Sequence, residues 1–97
     1  MEKEPFIYIM ASKPNGTIYL GVTSNLPQRI WQHKSGAVEG FSKDHDTKLL
    51  VYYEPHATME AAIAREKQLK DWMRQWKLRL IEEMNPDWGD LYDRISQ

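Results

Sequence analysis

The chain contains no cysteine. It therefore forms no disulfide, no thiolate zinc site and no cysteine nucleophile, and this composition fits a reducing cytoplasm, where we expect the protein to act. No apolar run approaches the roughly 18 residues of a membrane-spanning helix, and the first residues lack the basic start and apolar stretch of a secretory signal. Glycine-rich phosphate loops, serine nucleophile elbows and zinc-ligand spacings are missing too. We therefore expect neither a membrane nor a small-molecule cofactor.

What is present is an ordinary globular composition. The 97 residues are 41% hydrophobic and 28% charged, which suits one domain over residues 1–97. The formal net charge is only −1, but residues 65–79 hold six basic and two acidic side chains, a net charge of +4. Residues 82–94 hold five acidic side chains and one basic, a net charge of −4. The basic stretch is either a solvated helix face, which is the commoner case, or a surface for a phosphate backbone.

Two β-strands joined by a turn are predicted near the start of the chain. Residues 6–10 and 17–22 are rich in β-branched and aromatic side chains, and Asn15-Gly16 between them is a strong hairpin signal. A loop of two or four residues would put Tyr8, Tyr19 and Gly21 on one face of the hairpin, whereas a loop of three would separate the tyrosines. Taken alone, the two tyrosines are best interpreted as strand residues with hydroxyls in water.

Helices and one further strand follow the hairpin. Asn25 is a good N-cap, Pro27 fits a first turn and Gly36 fits a C-terminal end, which predicts a helix over residues 25–35. The pattern then predicts a loop over residues 37–48, a buried strand over 49–54 that Pro55 ends, and helical sequence over 58–84 with a break near Asp71. The predicted fold is α+β, with a three-stranded antiparallel sheet and packed helices.

Arg29 and His33 are four residues apart and share one side of the first predicted helix. An arginine can hold a phosphate while a histidine one turn later handles a proton. A partly buried histidine on a helix surface is the commoner explanation of such a pair.

Glu66 stands in a helical stripe that is otherwise apolar, formed by Ala62, Glu66, Leu69, Met73, Trp76 and Leu80. A carboxylate that points inward is costly unless it is paired, protonated or bound to a cation. A buried salt bridge, for example to Arg29, and a metal ligand at the floor of a site explain it about equally well. Because a break near Asp71 would change the phase of the stripe, the argument depends mainly on its first half.

The four tryptophans are interpreted as packing residues. Trp72, Trp76 and Trp88 lie among apolar neighbours near the end of the chain. Trp31 lies off the apolar line of the first helix, where we expect a core or capping role rather than stacking on a nucleobase.

Together, these residues resemble the GIY-YIG nuclease family over nearly the whole chain. The two motifs that name the family correspond to Phe6-Ile7-Tyr8 and Tyr19-Leu20-Gly21, with Phe6 in place of a glycine and Leu20 in place of an isoleucine. An Arg-x-x-x-His helix follows at residues 29–33, and then the helical Glu66. Asn85-Pro86 with Trp88 is similar to the C-terminal signature of the small stand-alone bacterial members, which are related to the nuclease domain of an excinuclease.

The resemblance implies a metal-dependent endonuclease that hydrolyses phosphodiester bonds in DNA. Glu66 would bind Mg²⁺ (or Mn²⁺), with waters and a phosphate oxygen in the other positions. Tyr19 would be the general base, because the cation and Arg29 favour its ionised form, and Tyr8 would orient the water or contact the phosphate, or exchange roles with Tyr19. Arg29 would clamp the scissile phosphate, and His33 would assist proton transfer.

The resemblance also implies roles for four more residues. Asn85 would anchor the site or the phosphate. Lys67, Lys70 and Arg74 come soon after the metal ligand, and an unbroken helix would present them together along the groove as phosphate contacts.

One small domain implies one active site, so a monomer would cut one strand at a time and only a dimer would cut both. A monomer and a weak dimer both remain open, as do the preference for DNA over RNA and the pathway, among them DNA repair. The alternative function is a non-catalytic nucleic-acid-binding or protein-interaction module on the same scaffold. The intact set of five residues argues against that alternative.

Overall fold

The structure is a computed structural model that describes residues 4–36 and 46–96. Most of the predicted loop over residues 37–48 lies outside the described residues. The described elements follow in the order β1 (Phe6–Ala11), β2 (Ile18–Thr23), α1 (Leu26–Ser35), β3 (Leu49–Pro55), α2 (Met59–Lys70), α3 (Arg74–Met84) and α4 (Tyr92–Ile95). None of these helices is long and apolar enough to cross a membrane.

The three strands form one antiparallel sheet in the order β2-β1-β3, which confirms the predicted α+β fold. The hairpin register pairs Tyr8 with Gly21 and Met10 with Tyr19, so the predicted parity is also confirmed. Between β1 and β3 the register shifts: Ile9 faces Tyr52, whereas Met10 faces Leu50. The central strand β1 is therefore bonded on both sides and almost completely buried.

A four-residue loop closes the hairpin. The N–H of Ser12 donates to the carbonyl of Thr17, and inside this pair the N–H of Gly16 donates to the carbonyl of Lys13. Asn15 takes the left-handed backbone conformation, with φ of 59°, which asparagine tolerates better than most residues. The even number of loop residues is what keeps Tyr8 and Tyr19 on the same face.

Helix α1 begins and ends where the capping residues predict. The side chain of Asn25 accepts a hydrogen bond from the N–H of Gln28, and Pro27 lies in the first turn. Gly36 ends the helix in the left-handed conformation, and its N–H bonds to carbonyls of the last turn. Leu26, Ile30 and His33 point into the protein.

The predicted break in the long helical sequence is confirmed at residues 71–73, which separate α2 from α3. Beyond this break the residues of the apolar stripe no longer all face the core, and the exposed fractions of Met73 and Trp76 are 55% and 45%. Trp76 nevertheless packs edge-on against Trp72, with ring centroids 6.1 Å apart, so its interpretation as a packing residue holds in part. The expected core role of Trp31 is wrong, because this side chain is 57% exposed on the side of α1 away from the sheet, whereas Trp88 is buried as expected.

The core lies on both faces of the sheet. On one face, Tyr8 and Met10 pack with Leu26 and Ile30 of α1, and Leu91 near the C-terminus joins them. On the other face, Ile7 packs with Ala62 and Leu69 of α2, and Ile9 packs with Ile81 of α3. The hairpin thus presents its tyrosines to α1, and its aliphatic residues to the two long C-terminal helices.

Candidate active site

Tyr8 and Tyr19 lie side by side on the face of the sheet that α1 covers. Their ring centroids are 6.3 Å apart. Gly21, which faces Tyr8 across the hairpin, leaves the space that the Tyr8 ring occupies: a Cβ at this position would lie 2.5 Å from the hydroxyl oxygen and 2.6 Å from Cζ. The ring of Tyr8 is therefore fixed by the backbone of the neighbouring strand.

Helix α1 brings Arg29 and His33 to the same place. Nε2 of His33 lies 2.9 Å from the hydroxyl oxygen of Tyr8, and Nε of Arg29 donates to that oxygen over 3.4 Å. The ring centroid of His33 lies 5.2 Å from that of Tyr19, and Arg29 also bonds to Tyr19. Four of the predicted site residues thus form one contiguous cluster.

Burial determines the protonation of Tyr8 and His33. It raises the pKa of Tyr8 to about 12, and the hydrogen bond from Arg29 opposes this shift only in part. Burial, together with a smaller effect of the positive charge of Arg29, lowers the pKa of His33 to about 4. The bond to Tyr8 raises the pKa of Arg29, so the guanidinium stays charged. Near neutral pH the cluster therefore holds a neutral phenol, a neutral imidazole and a guanidinium cation.

These protonation states determine the direction of the bond between Tyr8 and His33. The Tyr8 oxygen accepts from Arg29 and keeps its own proton, which it donates to Nε2 of the neutral imidazole. The ring proton of His33 then lies on Nδ1.

Glu66 lies beside this cluster on α2. Its side chain is only 17% exposed, and its charge is close enough to Tyr8 to contribute to the raised pKa of that hydroxyl. Its ion pair in the described part of the chain is with Lys70, at 3.6 Å, one turn later on the same helix. Of the explanations that the sequence left open, a salt bridge does form, but with Lys70 and not with Arg29, and the role of Glu66 as a metal ligand stays a prediction.

The donor set around Glu66 suits a weakly protein-bound divalent cation. Within residues 4–36 and 46–96, no group of three or more histidine or acidic side chains could form a protein cage for a metal. A single carboxylate at a partly open position is what Mg²⁺ uses when waters and substrate phosphate supply the remaining ligands. The structure therefore fits a cation held jointly by Glu66 and a substrate.

Asn85 does not lie in the tyrosine cluster. It is buried, its side-chain N–H groups donate to the carbonyls of Val51 and Gly89, and its oxygen accepts from the N–H of Gly89. These bonds tie the end of α3 to β3. The structure thus gives Asn85 an anchoring role between α3 and β3.

The predicted cations divide into two groups. Lys67 and Lys70 are exposed on α2, on the helix that carries Glu66. Arg74 lies beyond the helix break, and its guanidinium donates to the carbonyls of Asn15 and Gly16 over 3.1 and 2.6 Å. The break at residues 71–73 therefore separates Arg74 from Lys67 and Lys70, which an unbroken helix would have presented together with it.

Two contacts that support the site were not predicted. The Arg29 guanidinium donates to Gln32, three residues later on α1, over 3.3 Å. Lys34 pairs with Asp90, 56 residues later in the chain, and so ties the end of α1 to the C-terminal segment. The spacing of Arg29 and Gln32 is a local signal that could have been read from the sequence, whereas nothing local indicates the pairing of Lys34 with Asp90.

Comparisons with known proteins identify one matching domain family and several bacterial relatives. Residues 4–79 match the GIY-YIG catalytic domain. A UPF0213 protein of Staphylococcus haemolyticus is 36% identical over 78 residues, which are 80% of this chain and 94% of that protein. A UPF0213 protein of Bacillus pumilus is 32% identical over 84 residues, which are 87% of this chain and 86% of that protein. No solved structure matches the chain.

Proposed function

The chain belongs to the GIY-YIG family of nucleases, and we propose that it is a metal-dependent endonuclease that hydrolyses phosphodiester bonds in DNA one strand at a time. The observation that carries the proposal is the convergence of Tyr8, Tyr19, Arg29 and His33 in one cluster, with the carboxylate of Glu66 beside it. Phosphodiester hydrolysis needs an activated water, charge neutralisation at the phosphate and a proton for the leaving oxygen. Tyr19 would activate the water and Arg29 would neutralise phosphate charge, while a cation at Glu66 would stabilise the leaving oxygen until water protonates it.

Arg29 is the group that binds the scissile phosphate. Its guanidinium is charged, and bonds to Tyr8 and Gln32 hold it in place. A planar guanidinium fixed in this way offers a preorganised charge to the phosphate oxygens, whose negative charge grows in the transition state.

Tyr19, rather than Tyr8, is the general base. Tyr8 is buried and its pKa is raised to about 12, so it keeps its proton and serves to hold Arg29 and His33 in place. Tyr19 is only half-buried and lies against both Arg29 and His33. His33 is neutral above about pH 4, and its Nε2 accepts the hydrogen bond of the Tyr8 hydroxyl, so it would assist proton transfer by orienting the groups of the cluster.

Glu66 would hold Mg²⁺ or Mn²⁺ together with the substrate. When bound, the cation would neutralise phosphate charge and stabilise the leaving alkoxide. Lys67 and Lys70 on the same helix would contact phosphates of the approaching strand, which positions the strand without reading its bases.

A panel of labelled oligonucleotides tests this function. Purified protein is incubated with single-stranded, branched and duplex DNA and with single-stranded RNA, in Mg²⁺, in Mn²⁺ and in EDTA. We expect cleavage of at least one DNA substrate with metal and none in EDTA. Glu66→Ala and Arg29→Ala should each lower kcat by at least about 100-fold, because each removes a charge that stabilises the transition state.

Matched controls separate chemistry from general damage. Glu60→Ala removes an exposed carboxylate from the first turn of the same helix, and Arg79→Ala removes an exposed guanidinium from α3; both should keep wild-type kcat. Binding without cleavage, for every substrate and metal, would overturn the nuclease proposal. That result would instead support a non-catalytic nucleic-acid-binding module.

A further inference from the structure

A cavity of about 250 Å³ adjoins the candidate active site along β2. Its floor is aliphatic and is formed by Ile9, Ile18, Leu20, Leu69 and Leu80. Lys70, Lys77 and Tyr19 complete the lining. Its aliphatic residues belong to the face of the sheet that α2 and α3 cover, whereas Tyr19 belongs to the opposite face. The cavity therefore lies on the α2 and α3 side and reaches the edge of β2 at Tyr19. In the described sheet, β2 is an edge strand.

Two residues connect this cavity to the site. Tyr19 lines the cavity and packs against His33. Lys70 also lines the cavity and pairs with Glu66 at 3.6 Å. A substrate whose phosphate lies between Arg29 and Glu66 would therefore have its neighbouring nucleotide at the cavity.

The chemistry of the cavity identifies its occupant. The floor offers an apolar surface of aliphatic side chains, while Lys70 and Lys77 add positive charge to the lining. The ammonium of Lys77 donates to the carbonyl of Lys70 over 3.3 Å, which fixes it in place and leaves further N–H donors. An apolar ring attached to a phosphate chain matches both features, because the ring covers the floor and the phosphates meet the cations.

The volume limits what can enter. Clefts that hold drug-sized ligands measure roughly 300–1,000 Å³, so about 250 Å³ is enough for one base but small for a complete nucleotide. A base inside a duplex is stacked and paired, and removing it costs a few kcal/mol. A single strand or an unpaired segment has no such cost.

We propose that this cavity binds the base of the nucleotide next to the scissile phosphate, and that the substrate is accordingly single-stranded or unpaired DNA. This inference rests on the proposed function, because it takes the scissile phosphate to lie between Arg29 and Glu66. It adds a base-binding position that selects the class of DNA, with Leu20 and Lys77 as the residues that bind the base and its backbone.

Abasic substitution tests the proposal. A short single-stranded oligonucleotide is prepared with one abasic nucleotide at each position in turn. Binding is measured by fluorescence anisotropy in EDTA, and KM and kcat are measured in Mg²⁺. For the wild-type chain we expect one position, next to the cleaved bond, where base loss raises Kd and KM by roughly 5- to 100-fold, with kcat little changed.

Variants of the cavity make the result specific. In Leu20→Thr, which keeps a strand-forming residue, and in Lys77→Met, the abasic effect at that position should fall below about twofold. Ile63→Thr changes an exposed aliphatic residue of α2 outside the cavity and should keep the full abasic effect. Thermal unfolding of each variant checks that it folds.

The outcomes distinguish the two proposals. Cleavage with an equal effect of base loss at every position, or an abasic effect that survives in both cavity variants, overturns the base-binding cavity and leaves the nuclease in place. Binding without cleavage overturns the nuclease, and the cavity then stands only if Leu20→Thr removes the abasic effect on Kd. A chain that binds no oligonucleotide overturns both.

Discussion

Gly21 and Tyr8 face each other across the hairpin so closely that a Cβ on Gly21 would lie 2.5 Å from the Tyr8 hydroxyl oxygen. Gly21→Ala should therefore displace the buried Tyr8 ring from His33 and Arg29. Overpacking of this kind lowers the free energy of unfolding by about 1–3 kcal/mol, and a misplacement of about 1 Å in a site lowers kcat by about 100-fold. Urea unfolding and cleavage kinetics measure the two effects.

Gly89→Ala is the matched control for this substitution. A Cβ on Gly89 would meet the Asn85 side chain at 3.9 Å, an ordinary contact, and the backbone there is not left-handed. This variant should keep both kcat and stability. If Gly21→Ala behaves like Gly89→Ala, Tyr8 is not held in place by the backbone of β2.

The hairpin and the first helix could be predicted because their signals are local. Side-chain alternation and an even loop fix the face on which Tyr8 and Tyr19 lie, and Asn25 and Gly36 mark the ends of α1 by their own backbone requirements. The site follows from these elements, since α1 returns across the face that the tyrosines occupy. The ion pair of Glu66 with Lys70 also has a local signal, the four-residue spacing of a helical pair, whereas the apolar stripe alone shows only which side of the helix Glu66 faces.

The pKa of His33 gives a prediction about stability. In the folded chain it is lowered to about 4 from an ordinary value near 6.5, so between these limits the unfolded chain binds a proton that the folded chain does not. The free energy of unfolding should therefore fall as the pH drops from about 6.5 to about 4, with a slope of up to about 1.4 kcal/mol per pH unit from this residue.

The contribution of His33 is isolated by a variant. His33→Gln removes the titrating group, so the difference in unfolding free energy between wild type and variant should depend on pH in this range and level off below about pH 4. Urea denaturation at a series of pH values measures this difference. A difference that does not change with pH would mean that His33 titrates normally in the folded chain.

The two groups of cations should behave differently in DNA binding. Lys67→Ala with Lys70→Ala should weaken binding about equally for all sequences and reduce the slope of log K against log salt by roughly one unit for each phosphate that is no longer neutralised. Arg74→Ala should leave that slope unchanged and lower the free energy of unfolding by about 1 kcal/mol, because its exposed guanidinium bonds to the hairpin turn. If the double variant keeps the wild-type slope, the strand approaches elsewhere, for example past Lys48.

Contacts between residues far apart in the sequence could not be predicted, for a physical reason. Arg74 reaches carbonyls 58 and 59 residues earlier, and Asp90 reaches Lys34 across 56 residues. Backbone carbonyls and exposed carboxylates are present throughout the sequence, and nothing in their local pattern selects one pair over another. Trp31 illustrates the same point, because its large apolar ring favours burial while its position on α1 turns it towards water.

Asp90 gives a final prediction, because it connects the C-terminal segment to the helix that carries Arg29 and His33. Its carboxylate pairs with Lys34, the residue after His33, and also accepts hydrogen bonds from the N–H groups of Leu50 and Tyr92, each over 3.1 Å. The N–H of Leu91 bonds to the carbonyl of Leu50 over 2.8 Å, so this segment closes the outer edge of β3. The last turn of α1 is thus held against the sheet from the C-terminal side.

Asp90→Ala should therefore loosen α1 and admit water to His33. The pKa of His33 would then rise from about 4 towards its ordinary value near 6.5, because burial is the main cause of the low value and the charge of Arg29 is the lesser one. Titration of the His33 ring signal by NMR measures this shift in the folded chain, independently of cleavage. Asp87→Ala removes an exposed carboxylate nearby and should leave the titration unchanged. A loss of general stability alone does not hydrate a histidine in the folded state. If Asp90→Ala lowers the melting temperature but leaves the pKa of His33 near 4, the C-terminal segment therefore stabilises the fold without positioning α1.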